Sequence, residues 1–348
     1  MFLHNAWYVA AWDADLTDRP LAVRVLDEAV VLYRKTDGAV AALEDACAHR
    51  KLPLSRGRVV GDQIECGYHG LTFDCRGACT LAPGLDKPPR GARVRAYPIE
   101  LRYGLLWIWM GDSALADPST IFAVEHWGDP AWGLNQGDGM EIDCNYLYIT
   151  DNLLDPSHVN WVHRGSFAGS AVEDTPLQVT VNPLGVTVSR WMNDVEPAPF
   201  YAPFLKFAGR CDRKQQYEVR YPSHAAIKAI FAPAGHGGDG SEARAMHPDT
   251  FVMDSYNFMT PIDQNRTKYY WFQMRNFAPN DADVSRRFAS SVRAAFEEDR
   301  AVLQAVHKGM ANSKTPSINL RIDAGWVRFR RELAERIDAE RQARSAES

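Results

Sequence analysis

Residues 47–69 read CAHRKLPLSRGRVVGDQIECGYH, a stretch that begins and ends with a cysteine paired to a histidine. Cys47-Ala-His49 opens it, and after sixteen residues Cys66-Gly-Tyr-His69 closes it. Thiolates and imidazoles are both good ligands of transition metals. Two matched pairs on two turns therefore predict one metal centre held between two loops.

The spacing within each pair bears on which metal is bound. A zinc finger pairs a cysteine with a second cysteine about two to four residues away, whereas each partner here is a histidine. In the Rieske type of [2Fe–2S] centre, two cysteines hold one iron and two histidines hold the other. The pattern favours a Rieske cluster, with zinc as the alternative. The four remaining cysteines are predicted to be packed thiols: Cys75, Cys79, Cys144 and Cys211.

The composition is that of an ordinary globular protein of 348 residues, long enough for two domains. A net charge of -5 gives no electrostatic footprint for nucleic acid or an anionic membrane. No apolar run reaches the length of about 18 residues that a membrane span needs, and the N-terminus lacks the basic region of a cleaved signal. Six cysteines in so long a chain are no disulfide framework. We therefore expect a cytoplasmic protein that binds neither nucleic acid nor a membrane.

Short strands separated by turns dominate the first third of the chain. Asp37-Gly38 and Arg76-Gly77 are hairpin signals between strand-like runs, and LLWIW near the end of the region continues the pattern. This pattern predicts a small all-β domain. A run of turn residues follows it, and we place the two domains at 1–115 and 116–348.

The second part of the chain mixes strands with helices. The segment 141–164 is predicted to be helical through its middle, and strand-like runs such as TFVMDSYNFMTPI and TKYYWFQMRNF follow. A long helix is predicted through VSRRFASSVRAAFEEDRAVLQAVHKGM, and a charged helix at 326–344 closes the chain. Strands bracketed by helices predict an α+β fold, with an antiparallel sheet covered by helices on one face.

A second group of ligand types lies at 151–163, DNLLDPSHVNWVH. His158 and His163 are five residues apart, about 140° around a regular α-helix, so both reach one metal if the helix is distorted. Two histidines and a carboxylate make the facial triad that leaves open positions for O2 on Fe(II), and the run 297–299 (EED) offers carboxylates. Isolated histidines are more often packed or surface imidazoles, but their place downstream of the Rieske motif favours an iron site.

The chain resembles the Rieske non-heme iron aromatic oxygenases. Within them it is most similar to the group that contains the oxygenase components of vanillate O-demethylase, dicamba O-demethylase and toluenesulfonate methyl-monooxygenase. The likeness runs nearly end to end and rests on these motifs: NAWYVAAW, CAHR, CGYHGLTFD, RYGLLWIWMGDSALADP, DNLLDPSHVNWVH, FEEDR and INLRIDAG. It implies an all-β Rieske domain, a helix-grip catalytic domain, and a cytoplasmic homotrimer without a small subunit.

The resemblance also implies the ligands of both metal centres. The cluster would be held by Cys47, His49, Cys66 and His69. The catalytic iron would be held by His158, His163 and Asp299.

Roles for neighbouring residues follow from the same resemblance. Asp155 corresponds to the acid that bridges His69 of one subunit to an iron-binding histidine of the next. Asn152 is implied beside the iron, as an outer-shell group or weak ligand. Glu297 and Glu298 are then expected to be solvated helix positions.

The implied function is that of a terminal oxygenase. A flavin and iron–sulfur reductase that uses NAD(P)H delivers electrons one at a time, and O2 is activated against a methyl or methoxy C–H bond of an aromatic acid. Cis-dihydroxylation of the ring is the alternative, because the motifs are shared by both chemistries. A non-catalytic electron carrier or a ligand-binding helix-grip module would leave His158, His163 and Asp299 without a use.

A substrate that is an aromatic acid predicts a pocket with an apolar wall and a few polar groups for the anion. Three strand residues are candidates for those groups: Asn257, Lys228 and Arg190. Asn257 is favoured, because its strand aligns, around the following Met-Thr-Pro, with the one where a relative contacts its substrate carboxylate. Outward-pointing, solvated positions are the alternative for Lys228 and Arg190.

Overall fold

The computed structural model describes residues 2–169, 175–237 and 247–347. Within those ranges no helix has both the length and the apolar character needed to cross a membrane.

The chain folds into two compact units. The first comprises Met1–Ala123, Thr260–Gln264 and Ala339–Ser348, and the second comprises Val124–Met259 and Asn265–Asp338. The two short additions to the first unit have no signal in the sequence. The domain boundary placed between residues 115 and 116 stays a prediction.

The first unit is built from short antiparallel strands. Among its described residues they form three sheets, in the orders β1-β11-β10, β2-β3-β4-β9 and β5-β6-β7-β8. The strands are β1 (Trp7–Trp12), β2 (Leu21–Val25), β3 (Glu28–Arg34), β4 (Val40–Glu44), β5 (Arg58–Val60), β6 (Gln63–Glu65), β7 (Thr72–Phe73), β8 (Cys79–Leu81), β9 (Ala96–Tyr97), β10 (Ile99–Arg102) and β11 (Leu105–Trp109).

The hairpins predicted from the turn residues are confirmed. β3 pairs with β4 across the turn that contains Gly38, whose φ of 83° suits glycine. β7 pairs with β8 across the turn that contains Gly77, with a φ of 79°. A side chain at Gly77 would also collide with the backbone carbonyl of Val94, so both conformation and space require glycine there.

The second unit contains a seven-stranded antiparallel sheet among its described residues, in the order β12-β18-β17-β16-β15-β14-β13. Its strands are β12 (Gly133–Ile142), β13 (Gln178–Asn182), β14 (Gly185–Val195), β15 (Cys211–Arg220), β16 (His224–Pro233), β17 (Phe251–Pro261) and β18 (Thr267–Arg275). The helices are α1 (Tyr146–Asn152), α2 (Val159–Val162), α3 (Ala282–Asn312) and α4 (Ala324–Glu347). The predicted α+β fold is confirmed, whereas β12 had no counterpart in the prediction.

The helix predicted within 141–164 is in fact two short helices. Asn145 caps the first by accepting a hydrogen bond from the backbone N–H of Leu147, and that helix ends at Asn152. Pro156 lies in the break, where its ring and missing N–H prevent a continuous helix. The second helix, α2, is a single turn.

The long helix α3 begins at a clear cap and packs against β12. The Asp281 carboxylate accepts hydrogen bonds from the backbone N–H groups of Asp283 and Val284. The buried residues of α3 recur every three or four positions and form one stripe: Phe288, Val292, Ala295, Asp299 and Leu303. Asp299 is thus a carboxylate on an otherwise apolar, buried face.

Candidate metal centres and substrate cavity

Two loops of the first unit present the cysteine–histidine pairs, and they have the same backbone hydrogen bonds. In each loop the cysteine N–H donates to the carbonyl of the leucine five positions on, at 2.9 Å for Cys47 and 2.8 Å for Cys66. The N–H four positions on donates back to the cysteine carbonyl, at 2.9 and 3.1 Å. That fourth residue has a positive φ in both loops, 58° at Lys51 and 71° at Gly70. The two loops therefore hold their ligand side chains in matched frames.

The thiols of the two loops lie inside and the imidazoles lie outside. Cys47 and Cys66 are each 2% exposed and pack in the core of the unit, with their thiols within hydrogen-bonding reach of each other. Burial raises the pKa of the Cys47 thiol. His49 and His69 are exposed, with ring centroids 4.7 Å apart. An inner pair of sulfur donors and an outer pair of nitrogen donors fits a cluster with two cysteines on one iron and two histidines on the other.

In the second unit, His158, His163 and Asp299 converge. One ligand atom from each lies within 4.8 Å of the others. Nε2 of His163 is 3.2 Å from Oδ1 of Asp299, and Nε2 of His158 is 3.6 Å from the same oxygen. His158 precedes α2 and His163 follows it, where the backbone leaves helical geometry at φ -106° and ψ 41°. The broken helix therefore brings together two histidines that a regular helix would separate.

The other nitrogen of each ring faces an oxygen. Nδ1 of His158 lies against the backbone carbonyl of Asp155, and Nδ1 of His163 is 2.7 Å from Oε2 of Glu298. Such contacts fix the ring and leave Nε2 for a metal. Two oriented imidazoles and one carboxylate fit the donor set of a non-heme Fe(II) facial triad.

The carboxylates also affect the titration of His163. Burial acts to lower the pKa of His163, but the Asp299 and Glu298 carboxylates raise it, and the net direction is upward. Glu298 is exposed, as expected of a solvated helix position, but its carboxylate also contacts His163, which was not expected. Glu297 instead pairs on the surface of α3 with Arg293 and Arg300.

Asn152 and Asp155 lie close to this group. Nδ2 of Asn152 donates to Oδ1 of Asp299 at 3.3 Å, so the amide contacts the carboxylate that both histidines face. The Asp155 side chain accepts a hydrogen bond from the backbone N–H of Ser157 at 2.9 Å and thereby stabilises the turn before α2. The bridging role between subunits that the resemblance implies for Asp155 stays a prediction.

The three converging residues open onto a cavity of ≈ 620 Å³, its mouth included. Most of the wall is apolar or aromatic: Leu153, Val159, Phe167, Tyr201, Tyr217, Ile227, Met253, Val292, Ala295 and Phe296. Its polar members outside the triad are Asn152, Arg213, Ser255 and Asn257.

Asn257 is the one of the three predicted anion-binding residues that lines this cavity. Its Oδ1 accepts from the Tyr269 hydroxyl at 2.9 Å, and its Nδ2 donates to the Ser255 carbonyl at 2.9 Å. The amide is therefore held in one orientation, with one N–H of Nδ2 not used by those two bonds.

Arg190 and Lys228 lie elsewhere in the second unit. Arg190 is buried, and its guanidinium donates to Oε1 of Gln215 at 2.8 Å and to the Pro156 carbonyl at 3.4 Å. Nζ of Lys228 is 2.9 Å from Glu125 and 3.9 Å from Asp254. Neither residue is in the wall of the cavity described above.

Arg213 and Glu298 were not predicted to contribute to the site. Arg213 lies in the charged run RCDRK at 210–214, which suggests a solvated strand. However, Cys211, Tyr217 and Val219 lie an even number of residues from Arg213 along β15 and therefore share its face of the strand. They are apolar or aromatic, so the period of two places Arg213 on the inner face. Glu298 had no comparable signal, because its contact depends on the position of His163.

Comparisons with known proteins agree with this site. Residues 6–98 match the Rieske [2Fe-2S] domain family, and residues 142–339 match the C-terminal domain of the vanillate O-demethylase oxygenase. The chain is 34% identical to a vanillate O-demethylase oxygenase subunit of Pseudomonas sp. (strain HR199 / DSM 7063), over 99% of this chain and 98% of the relative. It is 36% identical to the iron-sulfur subunit of a toluene-4-sulfonate monooxygenase system of Comamonas testosteroni, over 93% and 94%.

A solved structure is similar over almost the whole chain. The crystal structure of dicamba monooxygenase bound to 3,6-dichlorosalicylic acid superposes with a TM-score of 0.88 at 32% identity, covering 97% of this chain and 98% of the other. Fold, site and relatives together define a two-domain Rieske non-heme iron oxygenase. The chain belongs to the vanillate O-demethylase oxygenase family. It is a monooxygenase whose cofactors are a Rieske [2Fe–2S] cluster and a mononuclear non-heme iron.

Proposed function

We propose that this chain is the terminal oxygenase that hydroxylates a methyl or methoxy carbon of an aromatic acid. The observation that carries the proposal is the shared cavity, in which the two imidazoles and Asp299 open onto a wall of aromatic and apolar side chains. The similar chains include a vanillate O-demethylase oxygenase subunit and a toluene-4-sulfonate monooxygenase subunit. A structural relative has been crystallised with an aromatic acid.

The residues that would hold the cofactors follow from the two donor sets. Cys47, His49, Cys66 and His69 would hold the cluster. His158, His163 and Asp299 would hold the mononuclear iron. When bound, the cluster supplies single electrons and the iron activates O2 at its open positions.

The side chains of the cavity would position the substrate. Phe167, Tyr201 and Tyr217 offer faces and edges against which an aromatic ring packs. The buried apolar wall would also keep bulk water from the reacting carbon. Asn152 would hold the Asp299 carboxylate in place through its amide, and Asn257 offers a fixed polar group at the wall.

The overall reaction balances with a reductase as partner. One oxygen atom of O2 enters the methyl C–H bond, and the other leaves as water, using two electrons from the reductase and two protons from solvent. A methoxy substrate gives a hemiacetal, which breaks down to a phenol and formaldehyde, whereas an aryl methyl gives a benzyl alcohol. The reductase would be a flavin and iron–sulfur protein that uses NAD(P)H.

Electron transfer between subunits is the reason to propose a homotrimer, and the need for NAD(P)H at the reductase is the reason to propose the cytoplasm. His69 is exposed on its loop, which leaves its ring accessible to a neighbouring subunit. Asp155, whose backbone carbonyl contacts His158, would face that ring across the subunit boundary. A ring of three subunits would then bring the cluster of one subunit near the iron site of the next.

The test is a substrate panel with the purified oxygenase and a compatible reductase. Methoxylated and methylated benzoates and benzenesulfonates are assayed for formaldehyde and benzyl alcohols, and iron is measured alongside. We expect about three irons per chain and formaldehyde in step with consumed NAD(P)H. Cis-diols as the main product would favour ring dihydroxylation instead. About two irons per chain with no product would reduce the protein to an electron carrier.

A further inference from the structure

Arg213 is a buried cation in the wall of the substrate cavity. It lies on β15, opposite Met192 of β14 and Phe231 of β16, and it is 4% exposed. Its guanidinium carbon lies 5.4 Å from the centroid of the Phe231 ring. The guanidinium stays charged inside a protein, although burial lowers its pKa. The cavity therefore has a permanent positive charge at its edge.

The hydrogen bonds of this guanidinium are incomplete. One nitrogen, Nη2, donates to the Phe167 carbonyl at 3.2 Å. Nε and Nη1 have no hydrogen-bond partner among the residues that the structure describes. No ion pair joins Arg213 to a carboxylate within those same residues either. A buried charge normally requires a partner, because desolvation is costly.

Arg190 on the adjacent strand shows how a buried arginine is satisfied here. Its Nε donates to Gln215, and its Nη2 donates to the Pro156 carbonyl. Arg213 is equally buried, at 4% exposure, but it lines the cavity, and its Nε and Nη1 have no hydrogen-bond partner among the described residues. The missing partner of Arg213 is therefore expected to come from outside the chain.

We infer that Arg213 is the residue that binds the carboxylate or sulfonate of the substrate. This inference rests on the proposed function and adds the recognition residue to it. A guanidinium donates charge-assisted hydrogen bonds to such anions, and it gains most where water is excluded. Asn257 lines the same cavity, but two of its hydrogen bonds are already made within the chain. Asn257 is therefore suited to a neutral substituent, and Arg213 to the anion.

A purely structural role is the rival explanation. Arg213 could serve only to hold the Phe167 carbonyl, and with it the loop after His163. Loss of such a structural contact would weaken the binding of acidic and neutral ligands alike. An anion-binding role would affect only the acids.

The experiment compares an acid with its neutral analogue on the holoenzyme. Binding of 3-methoxybenzoate, benzenesulfonate and 3-methoxybenzamide is measured by calorimetry for the wild type, Arg213→Gln, Arg213→Lys and the control Lys228→Gln. Lys228 is a cation of the same sheet outside the cavity wall, paired with Glu125. Iron content and the reduced-cluster EPR spectrum check that each variant retains both centres.

We expect Arg213→Gln to weaken binding of both acids ten- to a hundredfold and to leave the amide within twofold. Arg213→Lys should keep part of the preference for acids, and Lys228→Gln all of it. Acid affinity within twofold of wild type in Arg213→Gln, or an equal loss for acid and amide, would overturn the inference. So would a wild type that binds the amide as tightly as the acids. If Arg213→Gln does not fold, the ratio of acid affinity to amide affinity in Arg213→Lys decides between the two explanations, because a purely structural role would leave that ratio unchanged.

The result is separable from the proposed function. Oxygenation of methoxylated or methylated aromatic acids that does not depend on Arg213 would leave the proposed function intact and refute the anion site. Acid binding that depends on Arg213, without any oxygenated product, would support the anion site and refute the proposed function.

Discussion

The contact between Glu298 and His163 should set how firmly the catalytic iron is held. Oε2 of Glu298 is 2.7 Å from Nδ1 of His163, a distance typical of a charge-assisted hydrogen bond. Removing such an orienting partner typically costs about 10- to 100-fold in metal affinity or activity. Because the Glu298 side chain is 51% exposed, water competes for it, and we expect the low end, about tenfold.

The perturbation is Glu298→Ala, with Glu298→Gln as a partial rescue that keeps a hydrogen-bond acceptor and removes the charge. The matched control is Glu297→Ala, one position earlier on α3, whose carboxylate contacts Arg293 and Arg300 instead. Iron release is followed with a ferrous chelator, and the Rieske EPR signal reports separately on the cluster. We expect Glu298→Ala to lose mononuclear iron about tenfold more readily, Glu298→Gln to fall between, and Glu297→Ala to match wild type.

Two results would refute this reasoning. Iron retention in Glu298→Ala equal to wild type would show that the carboxylate does not orient His163. An equal loss in Glu297→Ala would show that the acidic run acts through its overall charge rather than through the contact.

Three further predictions concern other parts of the molecule. Replacing His49 or His69 by cysteine should lower the reduction potential of the cluster or cause the cluster to be lost, because a thiolate replaces a neutral imidazole. Redox titration followed by EPR checks this. Asp155→Asn should leave both centres occupied but slow oxidation of the reduced cluster by orders of magnitude in single-turnover experiments, and a wild-type rate there would exclude the bridging role. Burial raises the pKa of Asp254 from its ordinary 3.8 to about 7, so its carboxyl ionises at a cost in the folded state and stability falls as pH rises from about 4 to 7. Asp254→Asn should therefore gain up to about 4 kcal/mol of unfolding free energy over wild type across that range, and a pH-independent difference in chemical denaturation would contradict it.

The turns and the strand pattern made most of the fold predictable. Asp37-Gly38 and Arg76-Gly77 marked hairpins because a positive φ after a polar residue is a local requirement, independent of the rest of the chain. The long amphipathic pattern gave α3 for the same reason, since periodicity needs no tertiary information.

The two elements that were missed have different causes. β12 is an edge strand that pairs with β18, and its sequence GLNQGDGMEI has three glycines and little alternation. The helix predicted within 141–164 ends early because Pro156 interrupts it, so two short helices stand in place of one. Pairing across the sheet fixes β12 and is not visible in its own sequence, whereas Pro156 is a local signal for the end of the first helix.

The metal-binding residue types were visible in the sequence, but the contacts that orient them were not. The spacing of the cysteine–histidine pairs suffices because each pair lies in one loop. Assigning Asp299 rather than its two acidic neighbours needed the resemblance, although the helical stripe Val292, Ala295 and Asp299 points the same way. The use of Glu298 and Arg213 could not be predicted, because each depends on a side chain or cavity built by another element.

Burying a polar side chain without a partner is costly, so a polar residue at a buried position of an otherwise apolar face indicates a functional site. Asp299 on α3 and Arg213 on β15 both break such a pattern, and both line the cavity. Asp254 on β17 is also a buried charge, with 1% exposure, yet it does not line the cavity. The difference is the face of the strand: Met253, Ser255 and Asn257 line the cavity, so Asp254 between them points to the opposite side of the sheet. A buried charge in a strand therefore indicates this site only when it lies an even number of residues from a residue of the cavity wall. Arg213 meets this condition, because it is four residues from Tyr217, which lines the cavity.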